Sequence, residues 1–431
     1  MPMATSRLTP SEAATAARPA NGRARLVATR PSAGSGRSRL AGRRVGMVLF
    51  SYYPGDPRPR RAAEALAAEG MAVEVICLQE PGEARRERFN GVDILRVPLQ
   101  RRRGGMLGYV LQYAGFILAC SVILALRCVT RRYALVYVNN MPDVLMLSAL
   151  VPKLLGAKVI LDLHDPMPEL MTAIFGFSRD SAAVSVLRRA ERWSIRLADA
   201  VLTVNLACKK LFASRSCPAD KIGVVMNSPD DTIFGFRPAQ RSPSGERPVV
   251  IMYHGSLVER NGLDLAVEAL ARVRRSVAGA ELRVYGAATP FLERVLESAR
   301  ARGVADAIHY MGPKRAEDIA HAIIGCDVGI IPNQRSVFTE LNTPTRIFEY
   351  LALGKAVIAP RAPGITDYFD DRSLVFFELG DPDDLARALE RVAARPAEMV
   401  DIVRRGQEVY LAHAWRQEKH TLLELAARLL R

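Results

Sequence analysis

The chain is poor in lysine. It carries 8 lysines against 52 arginines, so the net charge of +15 over 431 residues rests on guanidinium groups. The excess is uneven, because residues 1–44 hold nine arginines, no lysine and one glutamate. The skew fits coding bias as well as selection. No helix-turn-helix, RNP or zinc pattern accompanies the charge, so nucleic acid is not an expected partner. Phosphorylated substrates or an anionic membrane face suit the same charge. Cysteine is scarce too. Cys77, Cys120, Cys128, Cys208, Cys217 and Cys326 form no C-x-x-C pair. They read as small core residues of a reducing compartment and argue against structural zinc. No signal-peptide apolar region occurs, and no G-x-G-x-x-G follows the first strand, which disfavours a dinucleotide site there.

What is present is a repeated strand–helix alternation in two series. Residues 1–43, rich in Ala, Arg, Ser, Gly and Pro without periodicity, read as a disordered basic tail; a transit peptide is the alternative. VGMVLFS (45–51) opens a βαβ unit, with a helix from about Arg60 to Glu69 and a strand over 72–78. Further strands are read at 92–98, 134–139, 158–164, 200–205 and 222–227. FRPAQRSPSGERP (236–248) is a polar linker, and the alternation restarts at VVIMYHG. The expected organisation is α/β, with doubly wound domains over 44–235 and 249–403 and a cleft between them. The helical stretch 404–431 is expected to end the chain, with a return to the first domain as one option.

The run 106–126 holds 21 residues with no charge and one Gln, and arginines flank both ends. It is long enough to span a bilayer. Strands on both sides belong to one series, which weighs against crossing. The favoured arrangement is a helix partly in the core and partly in the membrane interface; a plain core helix and a true span remain alternatives.

NTPTRIFEYLALGKAVIAP (342–360) reads as a helix followed by a buried strand. Asn342 and Thr343 suit the N-cap and Pro344 the first helical position. The mouth of such a helix, with Thr345 and Arg346, offers amides and positive charge to a phosphate. Glu349, one turn deeper, is placed for ribose hydroxyls; a simple Arg346–Glu349 pair is the plain alternative. LDLHDPMPEL (161–170) puts His164, Asp165 and Glu169 after a strand, where open α/β sheets bind ligands. Asp165 as an ordinary helix cap is the other reading. Asn140, in VNNMPD, sits at a similar strand end. Gly255 and Ser256 let backbone approach a pyrophosphate, and Arg260 supplies charge. Arg58, Arg60 and Arg61 are candidates for an anionic acceptor or a solvated helix face.

These segments resemble family-4 glycosyltransferases of the GT-B fold. That family has E-x7-E at the donor helix; Glu349 matches the second glutamate, whereas Leu341 stands at the first and Glu340 is one position off. The run 164–169 is similar to an H-D-x-M-P-E signature, and 255–262 to G-R-L-x-x-x-K-G, with Ser256 and Asn261 replacing Arg and Lys. Gly286, Gly312, Asp327, Pro332 and Gly364 match further landmarks in order, over roughly 45–425. The resemblance implies retaining transfer from a nucleotide sugar, UDP-sugar favoured, with no cofactor and no metal. It implies His164, Glu349 and Arg260 as catalytic residues and Gly255, Ser256, Asn342, Thr343, Thr345, Arg346 and Gly364 on the donor. Arg58, Arg61, Asn140, Asp165 and Glu169 fall on the acceptor side. The expected acceptor is lipid-linked, for instance through a polyprenyl pyrophosphate, at the cytoplasmic face of a membrane. A binding protein with decayed chemistry and a nucleotide-sugar epimerase are the competing classes.

Overall fold

The computed structural model describes residues 39–100, 106–178, 180–240 and 248–431. The expected tail, up to residue 38, and residues 241–247 of the expected linker lie outside them.

The strand runs are almost wholly apolar because both faces of a parallel sheet are covered. Eight described strands build the first lobe. They are β1 (Arg44–Val48), β2 (Ala72–Leu78), β3 (Arg86–Phe89), β4 (Val92–Val97), β5 (Leu135–Asn139), β6 (Lys158–Leu163), β7 (Ala200–Thr203) and β8 (Ile222–Val224). Their order is β3-β4-β2-β1-β5-β6-β7-β8. Only β3 runs antiparallel. Sequence reading missed β3 because RERF is too charged to suggest a strand. The signal was the two-residue turn, with Asn90 at φ 46° and Gly91 at φ 82°, the combination that closes a tight hairpin. Alternation along each strand splits the core in two. Met47 and Leu49 face one side, Val48 and Phe50 the other.

One face carries α1 (Pro57–Ala68), which starts three residues before the expected Arg60. Pro57 and Pro59 fill its first turn, where a missing N–H costs nothing. The other face carries α2 (Met106–Thr130), α3 (Leu150–Leu154), α4 (Met167–Phe175), α5 (Ala182–Leu197) and α6 (Leu206–Arg215). On α2, Phe116, Cys120, Leu124 and Cys128 recur every four residues and are buried against Val48 and Phe50. Phe50 meets Phe116 edge-on, with centroids 5.3 Å apart. The inner stripe of α2 is therefore held along the sheet. Its opposite face, including Leu111, Leu118, Val122, Leu126 and Val129, is exposed.

The second lobe repeats the plan with β9 (Val250–His254), β10 (Glu281–Tyr285), β11 (Ile308–Gly312), β12 (Val328–Ile330), β13 (Ala356–Pro360) and β14 (Val375–Phe377). All are parallel, in the order β11-β10-β9-β12-β13-β14. Its helices are α7 (Leu263–Val273), α8 (Pro290–Ala301), α9 (Ala316–Ile324), α10 (Val337–Leu341), α11 (Thr345–Ala352), α12 (Pro363–Thr366), α13 (Pro382–Ala394) and α14 (Pro396–Ala412). The last helix, α15 (Trp415–Leu429), leaves this lobe. It buries Leu422, Leu425 and Ala426 in the first lobe beside Met47 and Leu66. Glu418 fixes the crossing by accepting a bond from the Met226 amide at 2.8 Å.

Candidate active site

In each sheet the strand order reverses once, and open α/β sheets hold ligands at that reversal. In the first sheet it lies between β1 and β5, in the second between β9 and β12. The chain segments leaving these strands carry most of the residues singled out from sequence.

The second-lobe side is built on α11. Its helix begins at Thr345 with Pro344 as N-cap, not at Pro344 with Asn342 or Thr343 as cap. Thr343 is otherwise engaged. It is buried, its hydroxyl donates to Gly364 O, and it accepts a bond from Asn205 of the first lobe at 2.9 Å. Gly364 is likewise a packing residue. A Cβ there would lie 2.4 Å from Leu341 O, so only glycine permits the approach. Asn342 is half-buried and ends α10. Tyr350 anchors α11 to the sheet through a 2.9 Å bond to Met252 O.

Glu349 projects from α11 beside the end of β9. Its Oε2 lies 3.2 Å from His254 Nε2, yet Nε2 makes no hydrogen bond. Burial pushes the Glu349 carboxyl up to about 7, against the pull of Arg346 and of Arg61 from the first lobe. Burial, aided by Arg346, pushes His254 down to about 3, so this imidazole is neutral. Arg346 donates to His254 O at 2.7 Å and lies over the Tyr253 ring, 4.8 Å from its centroid. Gly255 follows at φ 124°, a conformation that disfavours side chains, and Gly255 and Ser256 are exposed. Arg260 lies just before α7 and lines a cavity of about 480 Å³ with Ala173 of α4, Asp264 and Gln334. Its charge also favours the ionised form of Asp165 across the cleft.

The first-lobe side is neutral to acidic. His164, Asp165, Asn139 and Asn140 line a cavity of about 190 Å³ with Asp56 and Tyr113. His164 Nε2 lies 3.2 Å from Asn139 Oδ1 and 3.4 Å from Asp162 Oδ2. Asn140 organises the loop by donating to Asp143 and to Asp165 O and by accepting from the His164 amide, all at 2.8–2.9 Å. Burial raises the Asp165 carboxyl, and it raises Asp143 to about 7.

Two acceptor-side expectations are corrected by this geometry. Arg58 is buried, and its guanidinium is spent on Asp162 at 2.6 and 3.0 Å, on Val225 O and on Asn227. Glu169 is buried with both oxygens on Arg215, which also holds Glu191. Neither is open to a substrate. Arg61 differs. It donates to Ser228 O and covers Trp415, while its Nε has no partner among the described residues. Burial pushes this guanidinium down to about 10, although Asp230 and Glu349 pull it back. Sequence reasoning missed His254 and Tyr253. The polar ending of the strand run IMYH was the available signal. It also missed Asn205, whose amide donates to Leu341 O and to Thr343 between lobes.

The profile described as Glycosyl transferase 4-like domain matches residues 55–228, and that described as Glycosyl transferases group 1 matches 248–395. A curated relative from Mycobacterium tuberculosis, named GDP-mannose-dependent alpha-(1-6)-phosphatidylinositol monomannoside mannosyltransferase, is 30% identical over 251 residues, 56% of this chain and 61% of the relative. The chain thus spans less than two thirds of that relative. A putative colanic acid biosynthesis glycosyltransferase of Escherichia coli K12 is 25% identical over 49% of this chain and 52% of its own length. The solved sucrose-phosphate synthase of Thermosynechococcus elongatus superposes with a TM-score of 0.73 at 16% identity, covering 90% of this chain and 99% of that one. With one profile on each lobe and the two sheets arranged in this way, the chain belongs to the family-4-type glycosyltransferases of the GT-B fold.

Proposed function

We propose that the protein transfers a sugar from a nucleotide sugar to a lipid-linked acceptor, with retention of configuration, at the cytoplasmic face of a membrane. The observation that carries the reading is Glu349 beside neutral His254 at the second-lobe crevice, within the field of Arg61 from the first lobe. A carboxyl held near 7 by burial lacks the hydrogen bonds that would stabilise its charge. Two ribose hydroxyls would supply them.

The chemistry is charge management. As the glycosidic bond breaks, the leaving diphosphate gains negative charge. The first amides of α11, the loop at Gly255 and Ser256, Arg346 and Arg260 are the groups that would meet that charge. The sugar becomes oxocarbenium-like. The departing phosphate takes the proton of the attacking hydroxyl on the same face, and the His164 and Asp165 loop positions sugar and acceptor. The relatives' names support a sugar nucleotide and a glycolipid or polysaccharide product.

One observation favours a second reading, a nucleotide-binding protein without turnover. Leu341 occupies the first glutamate position and packs against the first-lobe core. The test is a panel of UDP-, GDP- and ADP-sugars with product analysis, alongside melting shifts by the free diphosphates. A diphosphate should raise the melting temperature, and Glu349→Ala should remove that shift and lower turnover about 100-fold or more. A melting shift without turnover on any donor would select the second reading. Full activity in Glu349→Ala would overturn the site.

A further inference from the structure

The first lobe wears its apolar residues on the outside. Of the seventeen large apolar side chains exposed among the described residues, thirteen lie between Val110 and Trp193. They fall on α2 to α5, in or beside one layer over a single face of the sheet. On α2, Leu118 and Leu126 are each 66% exposed and Val129 83%. Beside them Leu154 at the end of α3 is 85% exposed; Trp193 of α5, which packs on the 143–149 turn next to α2, is 42% exposed. Scattered apolar residues are normal on a soluble surface; a contiguous layer marks an interaction face.

The charges beside this layer identify what it meets. At the end of α2 a recess of about 390 Å³ is lined by Arg44, Arg86, Arg127 and Arg131. Its carboxylates are already matched. Glu74 holds Arg127 at 2.6 Å, Glu87 holds Arg96 at 2.8 Å, and Asp93 lies 3.7 Å from Arg88. Among the described residues Arg44, Arg86 and Arg131 keep no acidic partner, an arrangement that suits phosphate. At its other end α2 reaches the active-site cleft, where Tyr113 lines the same cavity as His164 and Asp165. One helix therefore joins an apolar face, an unpaired basic rim and the first-lobe cavity.

We propose that the outer layer formed by α2, α3 and α5 is a docking surface for an anionic lipid bilayer. The exposed side chains enter the acyl boundary, and the arginines at the end of α2 meet lipid phosphates. The layer lies flat, since α2 is held to the sheet along its inner stripe. The proposal deepens the membrane-side reading above, because it brings the first-lobe cavity to the level of the headgroups.

The test is co-sedimentation of the full chain with vesicles of equal parts phosphatidylcholine and phosphatidylglycerol, and with phosphatidylcholine alone. The wild type should sediment with the anionic vesicles, less so as salt rises. Leu118→Gln/Leu126→Gln/Val129→Gln should weaken partition about tenfold or more, since apolar insertion drives it. Arg44→Gln/Arg86→Gln/Arg131→Gln should remove most of the preference for the anionic lipid. Unchanged sedimentation of both variants overturns the proposal, and so does a wild type that stays in the supernatant. A wild-type dimer that the apolar variant dissolves, with no vesicle binding, assigns the face to a second copy instead. Melting shifts with UDP and GDP on the same preparations separate the two readings. Vesicle binding without any nucleotide shift sinks the transferase reading alone; a nucleotide shift without vesicle binding sinks the surface alone.

Discussion

The two lobes share one plan and differ in where they leave charge unsatisfied. In the first lobe two sets of buried charges are closed on one another: Arg58 with Asp162, and Arg215 with Glu169 and Glu191. In the second, Glu349 and His254 stand side by side without a hydrogen bond at Nε2, and burial pushes each toward its neutral form. Closed pairs hold a scaffold; open ones wait for a ligand. A charged residue at a strand end is therefore not by itself a site. What separates the cases is whether its partners are already present.

The sharpest way to break this contrast is to open a closed pair. Asp162→Ala leaves the Arg58 guanidinium buried without its carboxylate, which typically costs about 3–5 kcal/mol. Burial works against the Asp162 charge, but Arg58 and His164 outweigh it and hold the carboxyl below its ordinary range. Its contribution is therefore present at neutral pH and is lost as pH falls through that low value. Urea denaturation at pH 7 should show the loss, and Arg58→Met/Asp162→Leu should recover much of it. Equal stability of Asp162→Ala and wild type would show that the first-lobe pair is not structural.

The open site should respond in the opposite sense. A carboxyl raised from 4.5 to about 7 favours the folded state when protonated, so stability is lost as pH climbs through that window. Glu349→Gln should therefore stabilise the unliganded protein at pH 8, by up to about 3 kcal/mol, and change little at pH 5. The same variant should lose nucleotide affinity. If ribose hydroxyls hold the ionised carboxylate, wild-type affinity for a nucleoside diphosphate should rise about tenfold from pH 6 to pH 8. Calorimetry across that range decides it; a flat profile would remove Glu349 from the nucleotide.

This difference between lobes explains which parts were legible in the sequence. The two βα series were readable because buried parallel strands are apolar runs and the breaks between them are polar. Glu349, Arg260 and His164 were readable as strand-end or helix-mouth residues in an ordered set of family motifs. Arg58 and Glu169 looked equivalent to them, and nothing local distinguishes them. Their partners Asp162, Val225 and Arg215 come from other elements, and only the tertiary fold brings these together. The cap of α11 failed for a related reason. Thr343 has a good capping side chain, but Gly364 and Asn205 claim its hydroxyl.

Between the lobes lies a tie of intermediate strength. Asn205 Oδ1 caps α6 by accepting from the Cys208 amide at 2.7 Å, while Nδ2 crosses to Leu341 O and Thr343. Asn205→Ala should cost about 2 kcal/mol, since it removes a cap and two buried bonds. Asn205→Ser keeps the cap and loses the crossing, so it should cost about half as much. Small-angle scattering should show a wider cleft in both variants. If Ser behaves as wild type in both measurements, the lobes are not joined through this amide.

The weakest expected effect comes from the shortest inter-lobe ion pair. Lys210 Nζ lies 2.5 Å from Asp367 Oδ1, closer than any bond Asn205 makes. Distance alone would rank it first. However, the Lys210 side chain is 67% exposed, so water screens the attraction and the flexible stem loses entropy on pairing. Lys210→Ala should change stability by less than about 0.5 kcal/mol and leave the cleft width unaltered. A loss as large as that of Asn205→Ala would mean that exposed charges, not the buried amide, set the spacing of the lobes. Repeating the urea titration at high salt distinguishes these causes. Salt should erase the Lys210 contribution and leave that of Asn205 intact.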